Sequence, residues 1–226
     1  MGSLCGLRMY RNASDLVDGL SDEVVNRLDT AVARRGRASL IVPGGKTPQH
    51  LFDGLAGRYA PWPRVDIMLT DERWKPAEPM AWHERLVRQR LLRGRAAQAR
   101  FTSLRQCDDP VQARAAAEAA MSAIARPFDV AVVGMGVDGN VASHFAGGAL
   151  LHAGELVEAA RRPGGAPEER SLRLSLAALQ TTRFIALLIT GPDKLAALQR
   201  ALGGEATPVR ALLQSRRSGL EVFCAL

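Results

Sequence analysis

The 226-residue chain carries 30 basic and 23 acidic side chains, a formal net charge of +7, with 47% hydrophobic and 23% charged residues. That composition describes a globular chain able to bury a substantial core, and it excludes a largely disordered one. Of the basic residues 27 are arginine, and the densest run, Arg85 to Arg105, has no aromatic ring between Arg85 and Arg100. Nucleic-acid grooves pair charge with stacking rings, so the run reads as a solvated helix face and no nucleic-acid partner is expected; a small anionic ligand still suits the charge.

In chain order, helical patterning covers Ser14 to Arg35, opened by a capping-box arrangement around Ser14. An apolar run from Ala38 to Val42 then ends at Pro43-Gly44-Gly45, and a helix pattern spans Pro48 to Tyr59. The run Val65 to Leu69 ends at Thr70-Asp71-Glu72-Arg73, followed by helix patterns at Glu84 to Leu92 and Pro110 to Ala125. Phe128 to Val133 leads into Gly134-Met135-Gly136, and Phe184 to Ile189 into Thr190-Gly191-Pro192. A helix over Pro192 to Leu202 exits at Gly203-Gly204, and Leu220 to Phe223 forms a last apolar run. The runs are near-continuous and not alternating, as expected of parallel strands buried on both faces. The alternation predicts an α/β fold, a doubly wound, mainly parallel sheet with helices on both faces. With no repeat and only a short loop at Arg161 to Glu169, one domain over residues 1–226 is expected.

Cys5, Cys107 and Cys224 are dispersed and odd in number, which fits neither a disulfide framework nor a zinc site. The first residues lack an uninterrupted apolar signal segment, and Phe184 to Ile189 is far too short to cross a bilayer. A cytoplasmic protein without membrane attachment is the expectation.

In an open α/β sheet the ligand sits beyond the carboxyl ends of the strands, where three polar or glycine-rich segments collect here. In the first, Gly44 and Gly45 let backbone amides approach an anion, Lys46 adds charge, Thr47 suits an N-cap and Pro48 the first helical position. The GxxxxGK[ST] spacing of a Walker loop is missing. In the second, Asp71 and Glu72 can hold sugar hydroxyls and Arg73 a phosphate. The third, Gly134 to Gly139, matches GxGxxG, but neither Glu155 nor Glu158 follows a convincing strand, and Asp138 stands where a pyrophosphate needs neutral backbone. A short helix opening at Asp138 or Gly139 would instead put Asn140 and His144 on one face, with His144 as a candidate base.

Together, Gly44-Gly45-Lys46-Thr47-Pro48, Asp71-Glu72-Arg73 and the stretch from Gly134 to Gly147 resemble the motifs of the 6-phosphogluconolactonase family, within the glucosamine-6-phosphate isomerase/6-phosphogluconolactonase superfamily. Glu84 to Arg88 and Leu188 to Lys194 add support, and the resemblance spans nearly the whole chain. It implies hydrolysis of 6-phospho-D-glucono-1,5-lactone, an anionic sugar phosphate, without metal or cofactor. It further implies anion binding by the Gly44–Thr47 turn and Arg73, an orienting role for Asp138, and help from a later arginine, Arg170 with Arg173 as rival. The family's catalytic histidine is Asn140 here, and its usual Ser-Asn pair is Trp82-His83. Asn has no titratable nitrogen. Three accounts follow: a base relocated to His144 or His83, a weakened or non-catalytic sugar-phosphate binder, or a substitution introduced to trap a ligand. A glucosamine-6-phosphate deaminase is the other enzymatic reading, and the Asp71-Glu72-Arg73 form favours the lactonase.

Overall fold

A computed structural model describes residues 6–74, 82–107, 109–146, 155–161, 170–214 and 219–226. Its strands are β1 (Leu7–Tyr10), β2 (Ala38–Val42), β3 (Val65–Leu69), β4 (Asp71–Trp74), β5 (Arg100–Thr102), β6 (Val130–Gly134), β7 (Val157–Arg161), β8 (Arg170–Leu174), β9 (Phe184–Thr190) and β10 (Gly219–Ala225). Its helices are α1 (Ala13–Arg35), α2 (Gln49–Gly57), α3 (Trp82–Arg90), α4 (Pro110–Ser122), α5 (Leu176–Gln180), α6 (Pro192–Leu202) and α7 (Pro208–Leu213).

Seven strands form the main sheet in the order β1-β10-β9-β6-β2-β3-β5, and every neighbouring pair is parallel. Helices surround the sheet, which is the expected α/β class. Strands β2 and β3 are buried along their whole length, which is why their sequences are apolar but for Ser39 and Asp66, whose side chains are paired with Asp129 and with Arg37 and Arg100. The core includes Trp62, Phe52, Phe128, Phe184 and Phe223, all fully buried; burial of a side chain of this kind contributes about 1.5–3 kcal/mol.

Chain order runs outward from β2 to β3 and β5 on one side, and from β6 to β9 and β10 on the other. The reversal falls between β2 and β6, which pair through Leu40↔Val130 and Ile41↔Ala131. A crevice opens beyond the carboxyl ends at such a switch point.

A second sheet, β4-β8-β7, is antiparallel and was not anticipated. It turns the Asp71-Glu72-Arg73 segment from an expected turn into a strand, with Asp71 opposite Arg173 and Trp74 opposite Arg170. Glu158, where no convincing strand was expected, lies in β7. Thr70 ties the two sheets together: its amide donates to Val42 O (2.9 Å) and its carbonyl accepts from Leu174 N (2.8 Å).

Two caps differ from expectation. Asn12, not Ser14, caps α1 by accepting from Asp15 N at 2.9 Å. Pro48 occupies the N-cap of α2 and Thr47 makes no cap bond. The loop 162–169 lies outside the described residues. Among those residues no helix is long and apolar enough to cross a membrane.

Candidate active site

The crevice holds a cavity of about 350 Å³ whose walls come from all three motif segments, a size suited to a small polar metabolite. The turn after β2 supplies Pro43, Gly44 and Gly45. Gly45 has φ +99°, and a Cβ on Gly44 would lie 2.1 Å from the His83 ring. Glycine is therefore required at both positions, once for backbone angle and once for close approach. Lys46 is exposed and does not line the cavity, contrary to its expected part in anion binding. A second ammonium stands by the same turn: Lys194, in the first turn of α6, donates from Nζ to Thr47 Oγ1 at 3.3 Å, though it too does not line the cavity. Partial burial lowers the Lys194 pKa.

From β4, Asp71 sits at the centre of a tethered network. Its Oδ1 accepts from Thr70 Oγ1 (2.7 Å) and its Oδ2 from Ser143 Oγ (2.5 Å). Its backbone carbonyl accepts from His83 Nδ1 at 2.8 Å. Glu72 does not face sugar hydroxyls as the sequence led one to expect. It is buried, and its carboxylate accepts the amides of Arg73 (2.9 Å), His83 (3.0 Å) and Glu84 (2.7 Å), which caps the start of α3. Burial raises its pKa above the ordinary value, against the opposing pull of His83 and these amides. Arg73 and Arg170 both line the cavity, and among the described residues neither guanidinium has a carboxylate partner.

The loop after β6 is not a helix. Gly139, Ala142 and Ser143 have φ of 73°, 49° and 56°, and Val141 bridges Met135 and His144. Positive φ at two successive non-glycine residues is costly and marks a constrained loop. The four-residue helical relation between Asn140 and His144 therefore does not exist. Asn140 is spent on the loop itself: its backbone N and Nδ2 donate to the two Asp138 oxygens (3.2 and 2.5 Å), and its Oδ1 accepts from Ala146 N at 3.2 Å. Asp138, Asn140 and Ser143 line the cavity.

His144 does not. It is 1% exposed, its Nε2–H donates to Leu174 O at 3.0 Å, and its Nδ1 is buried without a partner. Burial, then the nearby Arg173 charge, lowers its pKa to about 4. A ring sealed in this way cannot reach a water in the cavity, which removes His144 as a base. Arg173 is likewise buried, its Nε on Glu158 Oε2 (3.0 Å) and its Nη1 on Ser143 O (2.7 Å). Of the two rival arginines, Arg170 is the one at the cavity wall.

Sequence reasoning missed Glu72 as a cap and Ser143 as a cavity residue. Ser143 belongs to the motif that was read, but its orientation depends on the positive φ that helical spacing does not encode. Among the described residues no cluster of His, Cys, Asp or Glu is arranged to hold a metal ion.

The family described as glucosamine-6-phosphate isomerases/6-phosphogluconolactonase matches residues 11–221. The chain belongs to this family. A 6-phosphogluconolactonase of Rhizobium meliloti is 38% identical, with 97% of this chain and 98% of that protein aligned. One from Caulobacter vibrioides is 39% identical, with 97% of each chain aligned. Among solved structures, a 6-phosphogluconolactonase from Shewanella baltica matches with a TM-score of 0.91 and 35% identity over 100% of both chains. Within the 6-phosphogluconolactonase branch of the family, the cavity just described lies where the three sequence motifs converge.

Proposed function

We propose that the chain is a hydrolase that opens 6-phospho-D-glucono-1,5-lactone to 6-phosphogluconate, the second step of the oxidative pentose phosphate pathway. The observation that carries this reading is the cavity itself. In a chain of this family, it joins two arginines that have no carboxylate partner among the described residues to a set of tethered carboxylates at the switch point of the sheet. Arg73 and the Gly44–Gly45 amides bind the phosphate, with Thr47 and Lys194 beside them, and a guanidinium gives the bidentate contact that phosphate favours. Asp71 and Asp138 orient sugar hydroxyls, and Arg170 stabilises the oxyanion that develops at C1. Asn140 holds Asp138 in place and takes no proton. Residues 1–226 act as one domain, a reading supported by a core that runs through both sheets. We take the setting as cytoplasmic, in keeping with the scattered cysteines.

The test is lactone opening followed by NMR and corrected for the spontaneous rate, with glucono-1,5-lactone as the unphosphorylated control. Acceleration that depends on the phosphate is expected. No acceleration, with 6-phosphogluconate still bound in calorimetry, would select the non-catalytic reading, and ammonia release from glucosamine 6-phosphate would select the deaminase.

A further inference from the structure

Among the described residues, five titratable or permanently charged side chains line the cavity: Asp71, Arg73, His83, Asp138 and Arg170. A carboxylate oxygen that already accepts a hydrogen bond keeps a lone pair but is a weaker base for it, and this difference sorts them. Both Asp71 oxygens already accept from hydroxyls. Both Asp138 oxygens accept from Asn140. The arginines have no lone pair to offer. His83 differs. Its Nδ1 faces the Asp71 carbonyl at 2.8 Å, and a carbonyl only accepts, so Nδ1 carries the proton and Nε2 the lone pair. Nε2 makes no hydrogen bond with the described residues and is not sealed off as His144 Nδ1 is.

Resting on the lactonase reading, we infer that His83 is the general base of this chain, a role the sequence leaves open between His144 and His83. As the water oxygen bonds to C1, its proton passes to Nε2 and the carbonyl electron pair moves onto oxygen. Collapse of that intermediate breaks the bond between C1 and the ring oxygen, and the imidazolium returns the proton to the ring oxygen. Water is consumed and the open hydroxy acid results.

The surroundings hold the ring in a fixed orientation. Gly44 packs flat on it and the Glu72 carboxylate accepts its backbone amide, so orientation is fixed from two sides. A base oriented by a third group is the general pattern of such sites. The charged groups around it are Asp71 and Glu72 of β4, whose carboxylates lie 3.8 and 3.9 Å from Nδ1, Glu84 on its own helix, and Arg73, Arg170 and Asp138 across the cavity; the turn after β2 presents only Gly44. The other described histidine, His50, is exposed on α2 and does not line the cavity.

The experiment compares native chain and His83→Gln for lactone hydrolysis across pH, with calorimetry of 6-phosphogluconate on both. Loss of a general base costs about 10²–10⁴ in kcat, while KM and product affinity should hold within about threefold, since no binding contact is removed. The acid limb of the kcat/KM profile should vanish in the variant. A variant that keeps native kcat and the same acid limb overturns the base and leaves the lactonase reading standing. A native chain no faster than spontaneous opening overturns the lactonase reading, and the base falls with it. Should His83→Gln not fold, diethyl pyrocarbonate on the native chain decides: activity must fall with acylation of His83 and be protected by 6-phosphogluconate. Full activity with His83 acylated overturns the inference.

Discussion

The β4–α3 segment and the loop after β6 each deliver a histidine to the same end of the sheet, and the two rings meet opposite fates. His83 begins a helix whose first amides are capped by Glu72, with its Nδ1 on a carbonyl and its ring against the cavity. His144 closes a loop with positive φ at Ala142 and Ser143, and there its Nε2 is held by Leu174 O while its Nδ1 is buried and unpaired. Each ring gives one N–H to a backbone carbonyl, so the hydrogen bond itself does not distinguish them. What differs is the setting of the remaining nitrogen: His83 lines the cavity, whereas His144 lies outside it with its Nδ1 buried and unpaired among the described residues. Access decides which histidine can do chemistry.

Three substitutions, read in four measurements, break or sharpen this contrast. The largest effect is expected on the sealed side. Arg173→Met removes one partner of a buried ion pair and leaves Glu158, 8% exposed, without its counter-charge; such a loss costs about 3–5 kcal/mol, read as a shift in the denaturation midpoint.

Next is the response of that side to acid. The unfolded chain takes a proton at His144 below pH 6.5, but the folded ring resists down to about 4. Between those values the unfolded state binds more protons, so stability falls as pH drops from 6.5 towards 4. The loss is on the order of 3 kcal/mol when complete. Urea titrations across this range should show it in the native chain and lack it in His144→Leu.

A smaller effect is expected on the cavity side. Glu72→Gln puts an amide N–H where a carboxylate oxygen accepts, which costs about 1–3 kcal/mol. Because the cap holds the start of α3, kcat should fall more than KM rises, and steady-state kinetics separate the two. The smallest effect is His144→Leu at neutral pH, where kcat should stay within about threefold of native because no contact to the reacting atoms is lost.

Most of the parallel sheet was legible because a strand buried on both faces must be largely apolar, as Ala38–Val42 and Phe184–Thr190 are. Strands β1 and β5 were not. Leu7–Tyr10 is largely exposed and Arg100–Thr102 is a partly exposed three-residue edge, so neither has a burial pattern to read. The antiparallel β4-β8-β7 sheet escaped for a related reason: its strands carry Asp71, Glu72, Arg73 and Arg173, charges that mark a turn until long-range partners are known.

In the site, glycines and motif order were visible, but partners far apart in sequence were not. Lys194 meets Thr47 across 147 positions, and Ser143 meets Asp71 across 72. Helical spacing misplaced His144 because a pattern of residue types carries no record of Gly139, Ala142 and Ser143 turning to positive φ. The departures from the family pattern at Asn140 and at His83 were both readable. That they concern one cavity became apparent only in three dimensions.

The account stands most directly on one paired measurement: kcat for 6-phospho-D-glucono-1,5-lactone at neutral pH, corrected for spontaneous opening, in His83→Gln and His144→Leu beside the native chain. A fall of about 10²–10⁴ in the first, with the second close to native, is the predicted result. The reverse order, or equal losses in both, would contradict it.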